Sequence, residues 1–168
     1  MSKAPNAAAM LAGSALAGSE LASSELAGTG VGAGVVGVGV DAVDVPRFRR
    51  ILERRPGFAA RFFTDVEQAD SRRSDDPTES LAARFAAKEA VMKALGTGLG
   101  GFALTDVEVR RAGGEGPTRG APSVVLHGAA AALAERRQAG TIHLSLTHTT
   151  EVAIAFVVAE RSVPCSLS

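Results

Sequence analysis

The residues able to do chemistry fall into four groups, and each group alone has an ordinary reading. Glu89 and Lys93 stand four apart in a helix-forming stretch, so they share a face and read as a solvated ion pair. Asp41 lies near the end of the apolar run VVGVGVDAV (35–43). A carboxylate there needs a metal, a cation or backbone amides, unless it serves as a turn residue or helix cap. His148 sits among hydroxyls in Thr147-His148-Thr149-Thr150 and reads as part of a surface turn. Arg47, Arg50 and Arg54 recur at i, i+3 and i+7 and form one basic stripe. That stripe is either a solvated face or a dock for an acidic protein or a phosphate.

The elements that must position these groups follow from spacing and caps. DPTESLAARFAAKEAVMKALGTG (76–98) predicts the central helix. Asp76 is its cap, Pro77 its first residue, Glu79 the partner in a capping box and Gly96 its stop. Leu81, Phe85, Met92 and Leu95 recur at helical spacing and predict one buried stripe. The β-branched run at 35–43 predicts a buried strand whose Gly37 and Gly39 admit a close neighbour. GVGVDA (37–42) only loosely fits a dinucleotide-binding loop: it lies inside the strand, and Asp41 would repel a pyrophosphate lacking a metal.

Pro46 opens a helix that runs to Arg55, and Thr64 with Glu67 caps a short one reaching about Arg73. ALTDVEVRR (103–111) and SVVLHG (123–128) predict a hairpin around the loop 112–122. Gly128 to Gln138 predicts a helix ended by Gly140. In the last piece Ile142, Leu144 and Leu146 alternate with His143, Ser145 and Thr147, and EVAIAFVVA returns as a second strand.

Composition bounds the rest. The 168 residues fit one domain plus a tail, with 46% apolar content but only 4% aromatic. A net charge of zero gives no global field for nucleic acid or a membrane surface, so neither is an expected partner. The single Cys165 is compatible with a reducing cytoplasm. Residues 1–33 repeat leucine every five positions, a period with no helical stripe or strand alternation. They read as a disordered low-complexity tail, followed by a domain at 34–162 and a frayed end at 163–168. Lys3 and Ala15-Leu16-Ala17 only loosely resemble a signal peptide, because Ser and Gly interrupt the apolar run.

Three separated segments resemble one family. GVGVDAVDVPRF (37–48), RFAAKEAVMKALGTG (84–98) and HLSLTHTTEVAIAFVVAE (143–160) are similar to the motifs of holo-[acyl-carrier-protein] synthases, which are small 4'-phosphopantetheinyl transferases. The resemblance runs from about Val35 to Glu160, and Asp44 stands where the family often has Glu. It implies an α+β fold, the 4'-phosphopantetheinyl transferase fold, with a long central helix packed on an antiparallel sheet. It implies transfer of phosphopantetheine from coenzyme A to a serine of an apo acyl carrier protein, in the cytoplasm. By resemblance, Asp41 and Glu89 ligate Mg²⁺ (or Mn²⁺), and Lys93 contacts the phosphates. Arg84 and His148, with Ser145 and Thr147 beside them, bind the nucleotide end, and Gly96 and Gly98 form a turn that approaches it. Arg47, Arg50 and Arg54 meet the acidic carrier protein. The resemblance further implies a homotrimer with shared active sites. Two proton acceptors for the attacking serine stay open, a water on the cation and a carboxylate such as Asp41. A coenzyme A-binding module without turnover and a structural subunit of a larger synthase are the alternatives.

Overall fold

The computed structural model describes residues 34–98, 100–111 and 120–162. The readings of a tail over 1–33, of most of the loop at 112–122 and of a frayed end at 163–168 lie outside them. Strand β1 (Val35–Asp44) leads into helix α1 (Val45–Arg54), followed by the short helices α2 (Phe58–Phe62) and α3 (Asp65–Ser71). The central helix α4 (Pro77–Ala94) precedes the hairpin β2 (Val107–Arg111) and β3 (Pro122–Leu126), then α5 (Gly128–Arg136). Strands β4 (Ala139–His148) and β5 (Val152–Arg161) close the order. All pairings are antiparallel: β1-β5-β4 form one sheet and β2-β3 a separate ribbon. The architecture is α+β, with α4 lying on the three-stranded sheet.

Local chemistry sets the helix starts. The Asp44 side chain accepts from the Arg47 backbone and caps α1, so the cap lies three residues after Asp41. Thr64 and Glu67 form the expected capping box on α3. Asp76 accepts from the backbone N–H groups of Thr78 and Glu79, with Pro77 in the first turn of α4. The reciprocal half of the predicted box is missing, because Glu79 turns its carboxylate to His148, 3.2 Å away.

Helix α4 departs from the single-stripe reading. Leu81, Phe85, Met92 and Leu95 are buried, but so are Ala82, Ala86, Ala90 and Val91 around the rest of its circumference. The sheet covers one side, while α1, α3 and β2 cover others. Glu89 lies on this enclosed surface while Lys93 in the last turn stays exposed, so the two do not share the solvated face that an idle surface pair needs. Five phenylalanines, Phe48, Phe58, Phe62, Phe63 and Phe85, pack against one another in tilted and edge-to-face pairs and join α1 and α2 to α4.

The sheet meets α4 through small residues. Ala153, Ala155, Val157 and Ala159 of β5 are buried beneath the helix. On β1, a Cβ added to Gly39 would lie 1.8 Å from the Ala90 carbonyl oxygen, and one on Gly37 would lie 2.0 Å from that of Ala94. The glycines admit a helix backbone, and that contact sets the gap between the two elements that carry Asp41 and Glu89. Gly39→Ala must therefore push β1 and α4 apart. The expected destabilisation is about 3 kcal/mol, read as a lower urea midpoint. An unchanged midpoint would mean that the strand can give way without cost.

Three boundaries differ from the sequence expectation. Leu104 lies in a 3-10 turn (Leu104–Asp106), so β2 begins only at Val107. Gln138 ends the α5 segment in the left-handed region (φ 58°), while Gly140 belongs to β4. The final hairpin turns at Thr149–Glu151, so Thr147 and His148 are strand residues paired with Ile154 and Ala153.

Candidate active site

One group of candidates lies between β1 and α4. Alternation along β1 puts Asp41 on the same face as Gly39 and Val43, toward the helix. Lys93, in the last turn of α4, donates to the Asp41 carboxylate (2.9 Å) and to the Val40 carbonyl (2.8 Å). The expected local pair between Glu89 and Lys93 is thus replaced by one across 52 residues. Glu89, one turn earlier, is only 9% exposed, and its Oε1 has no hydrogen-bond partner among the described residues. Burial, and then repulsion from Asp41, push the Glu89 carboxyl up to about 7, against the opposing pull of Lys93. Burial also raises Asp41, outweighing its hydrogen bond and attraction to Lys93. Two carboxylates share one ammonium here, and a buried oxygen lacks a partner.

That arrangement fits a hard cation. The donors are carboxylate oxygens, the orphaned Glu89 oxygen is available, and a divalent charge would relieve the repulsion that raises Glu89. Among the described residues there is no group of three or more His, Cys, Asp or Glu able to hold a metal. The protein side of such a site is therefore two carboxylates. This suits Mg²⁺, which keeps water and substrate phosphate oxygens as its other ligands.

A second group lies on the other flank of α4. Arg84 is nearly fully buried; its Nη1 donates to the Ser80 hydroxyl (2.5 Å) and carbonyl (3.2 Å), while Nη2 lies 3.9 Å from Asp70. Its Nε has no partner among the described residues. Burial pulls Arg84 below the ordinary guanidinium range, Glu67 and Asp70 oppose this, and Arg111 adds to it. Ser80, Arg84, Arg110, Arg111, Leu146 and His148 line a cleft with a strongly positive wall. An anionic group is the ligand such a wall suits. Arg110 and Arg111 carry no motif and only reach this cleft through the pairing of β2 with β3. Glu79, which holds His148 at Nδ1, was legible only as a capping residue.

The remaining candidates separate. Ser145 and Thr147 are exposed on the face of β4 away from α4, opposite Phe156 and Ile154, whereas His148 lies on the helix side. Gly96 takes φ 63° just after α4, with the Arg137 guanidinium 3.5 Å from where a Cβ would be. Gly98 is exposed, with open space around it. Arg50 and Arg54 are exposed on α1 and Arg47 is half-buried there, while Arg49 anchors the helix to Asp76 at 2.5 Å. The two chemical groups themselves do not converge in one chain. Arg84 and Glu89 are five residues apart, about 140° around the helix. Asp41 and His148 lie on outer strands with β5 between them.

A model of the 4'-phosphopantetheinyl transferase superfamily matches residues 37–157, from β1 through most of β5 and across both groups. The chain belongs to that superfamily. A holo-[acyl-carrier-protein] synthase of Frankia alni is 52% identical over 120 residues, 71% of this chain and 92% of the relative. Among solved structures, the holo-[acyl-carrier-protein] synthase of Neisseria meningitidis is 30% identical with a TM-score of 0.68, covering 76% of this chain and 100% of that one. The enzyme of Bacillus anthracis, solved in complex with CoA (3',5'-ADP), is 34% identical with a TM-score of 0.61, covering 76% and 98%. The phosphopantetheinyl transferase fold expected from the motifs is the fold observed.

Proposed function

We propose that this transferase moves 4'-phosphopantetheine from coenzyme A to a serine hydroxyl of an apo acyl carrier protein, releasing adenosine 3',5'-bisphosphate. The observation that carries the reading is the Asp41/Glu89 carboxylate pair with its unsatisfied oxygen, flanked by Lys93. Relatives bearing the holo-[acyl-carrier-protein] synthase name support it. Asp41 and Glu89 would hold Mg²⁺ or Mn²⁺, which when bound neutralises pyrophosphate charge. Lys93 is partly exposed beside the pair and can swing from Asp41 to a phosphate oxygen as charge develops on the 5'-phosphate of the departing adenosine 3',5'-bisphosphate. The Arg84/His148 cleft takes the anionic nucleotide end, orienting coenzyme A so that its β-phosphate faces the incoming serine. The serine proton would pass either to a carboxylate such as Asp41 or to a water held beside the pair. One thiol suits the reducing cytoplasm this reading assigns.

Because the two groups lie on opposite flanks of α4, one substrate molecule reaches both most simply where two copies of the chain meet. The outer face of the sheet offers the contact: Val38, Val40, Ile154 and Phe156 are all exposed there, rich in apolar area for a chain with few aromatics. We therefore read the enzyme as a homotrimer with sites shared between neighbours.

Incubation with coenzyme A, Mg²⁺ and an apo carrier protein, followed by mass spectrometry, tests the activity. The expected product is a phosphopantetheine adduct on the carrier serine. Coenzyme A binding with no adduct on any acyl or peptidyl carrier would instead make the protein a binding module. The basic stripe on α1 is expected to serve the carrier alone. Arg54→Glu should raise KM for the carrier about tenfold and leave KM for coenzyme A unchanged, with a smaller difference at high salt. Equal losses for both substrates would remove the docking role.

A further inference from the structure

The core holds a fully buried ion pair that the proposed chemistry does not use. Lys88 on α4 donates to Glu67 Oε2 (2.7 Å), the Leu104 carbonyl (2.9 Å) and the Val107 carbonyl (2.5 Å). An ammonium has three donors, so Lys88 has none left for a ligand. Glu67 is equally committed: Oε2 also accepts from the Thr64 backbone (2.9 Å) and Oε1 from the Val109 backbone (3.0 Å). The Lys88 ammonium lies 5.4 Å from the Phe63 ring centroid. Four elements meet at this pair, namely α3, α4, the 3-10 turn and β2.

Stability alone explains such a pair poorly. Replacing a buried ion pair by apolar residues of similar volume is often neutral or stabilising, because desolvation costs about what the attraction returns. Five hydrogen bonds supply something apolar packing does not, which is direction. The need is local. The sheet side of α4 is built from alanines against glycines and alanines, as at Ala90 on Gly39 and Ala94 on Gly37. Small residues on both surfaces set the gap between helix and sheet but interdigitate little, so they resist sliding weakly. Glu89 follows Lys88 directly, and Arg110 and Arg111 follow the β2 groups that the network binds.

We propose that the Lys88–Glu67 pair is the positioning device of the transfer site, fixing the register of α4 against α3 and β2. It thereby holds the Glu89 carboxylate opposite Asp41 and sets the β2 wall of the arginine cleft relative to Arg84. Neither residue touches substrate. The proposal rests on the reading of Asp41 and Glu89 as the metal pair.

The test is the double variant Lys88→Met, Glu67→Leu, which replaces the pair with apolar groups of similar size. The readouts are the urea midpoint, binding of Mn²⁺ in the presence of coenzyme A followed by loss of the free-ion spin-resonance signal, and kcat and KM as functions of Mg²⁺. The expected protein is folded with an unchanged or higher midpoint, yet binds Mn²⁺ about tenfold more weakly, with kcat/KM down about thirtyfold and partly restored by excess Mg²⁺. A folded double variant with wild-type Mn²⁺ binding and kinetics overturns the proposal. Should the double variant not fold, Glu67→Gln serves in its place, since it keeps an acceptor but loses the charge and one acceptor oxygen. It should show the same weakening in smaller degree, and wild-type Mn²⁺ binding there overturns the proposal too. Full turnover in Glu89→Gln would separately remove the metal-pair reading on which this one rests.

Discussion

Glu89→Gln is expected to lower turnover about a thousandfold while making the metal-free protein more stable above neutral pH. The two effects have one cause. In the folded chain the Glu89 carboxyl is raised from 4.5 to about 7, first by burial and then by the nearby Asp41 charge. The folded state thus holds a proton that the unfolded chain has already released. Stability from this group is full below about pH 4.5 and is lost as pH rises through about 7. The loss amounts to about 3 kcal/mol by pH 8.5. Asp41, raised by burial as well, acts in the same direction. A neutral amide at position 89 removes most of this slope and with it a ligand charge. Urea unfolding in chelator at pH 6 and pH 8.5 reads the stability, and the carrier assay reads the turnover. With saturating Mg²⁺ the wild-type slope should flatten, since the cation favours the ionised pair. A near-normal rate in Glu89→Gln would show that the residue does not serve the metal. A wild-type protein in chelator that gains stability with rising pH would contradict the placement of Glu89 in a desolvated, like-charged pair.

The parts of the site that were legible in the sequence are those written in local chemistry. The apolar run ending near Asp41, the Asp76-Pro77 start of α4, the Thr64/Glu67 capping box and the alternation along β4 all depend on neighbours within a few residues. Each element formed close to where its pattern indicated, although β1, read as a buried strand, is covered on one face only and leaves Val35, Val38 and Val40 exposed. What failed depended on distance or on an element's end. The four-residue spacing of Glu89 and Lys93 pointed to a local pair, but Lys93 finds Asp41, which only the packing of β1 beneath α4 brings near. The hydroxyls around His148 read as a turn, but the strand runs two residues further, and period-two alternation sends His148 to the opposite face from Ser145 and Thr147. Lys88 and Glu67 had no visible relation at all, being 21 residues apart with their pairing made inside the core. Even the resemblance, which named Arg84 and Glu89 together, could not show that they face opposite ways around one helix.

That divergence gives the prediction with the largest consequence for activity. Phe156→Glu is expected to leave the chain folded but to dissociate the proposed trimer and abolish turnover at low protein concentration. The side chain is 45% exposed on the outer sheet face, so a carboxylate there costs an isolated chain little. In an interface shared with Val40, 49% exposed in the single chain, the same carboxylate would be desolvated without a partner. Sedimentation should show a monomer, with specific activity rising with concentration as copies reassociate. A fully active monomer would overturn both the trimer and the shared site. Complementation sharpens the test. Glu89→Gln spoils the metal group, and Arg84→Ala spoils the cleft on the other flank of α4. If each site draws one group from each of two neighbours, a subunit mixture of the two inactive variants contains intact sites. With equal, random mixing, a given interface pairs an intact metal group with an intact cleft about one time in four, so activity should recover to roughly a quarter of wild type. If both groups served a site within one chain, every subunit in the mixture would carry a defect and activity would stay at the level of the separate variants.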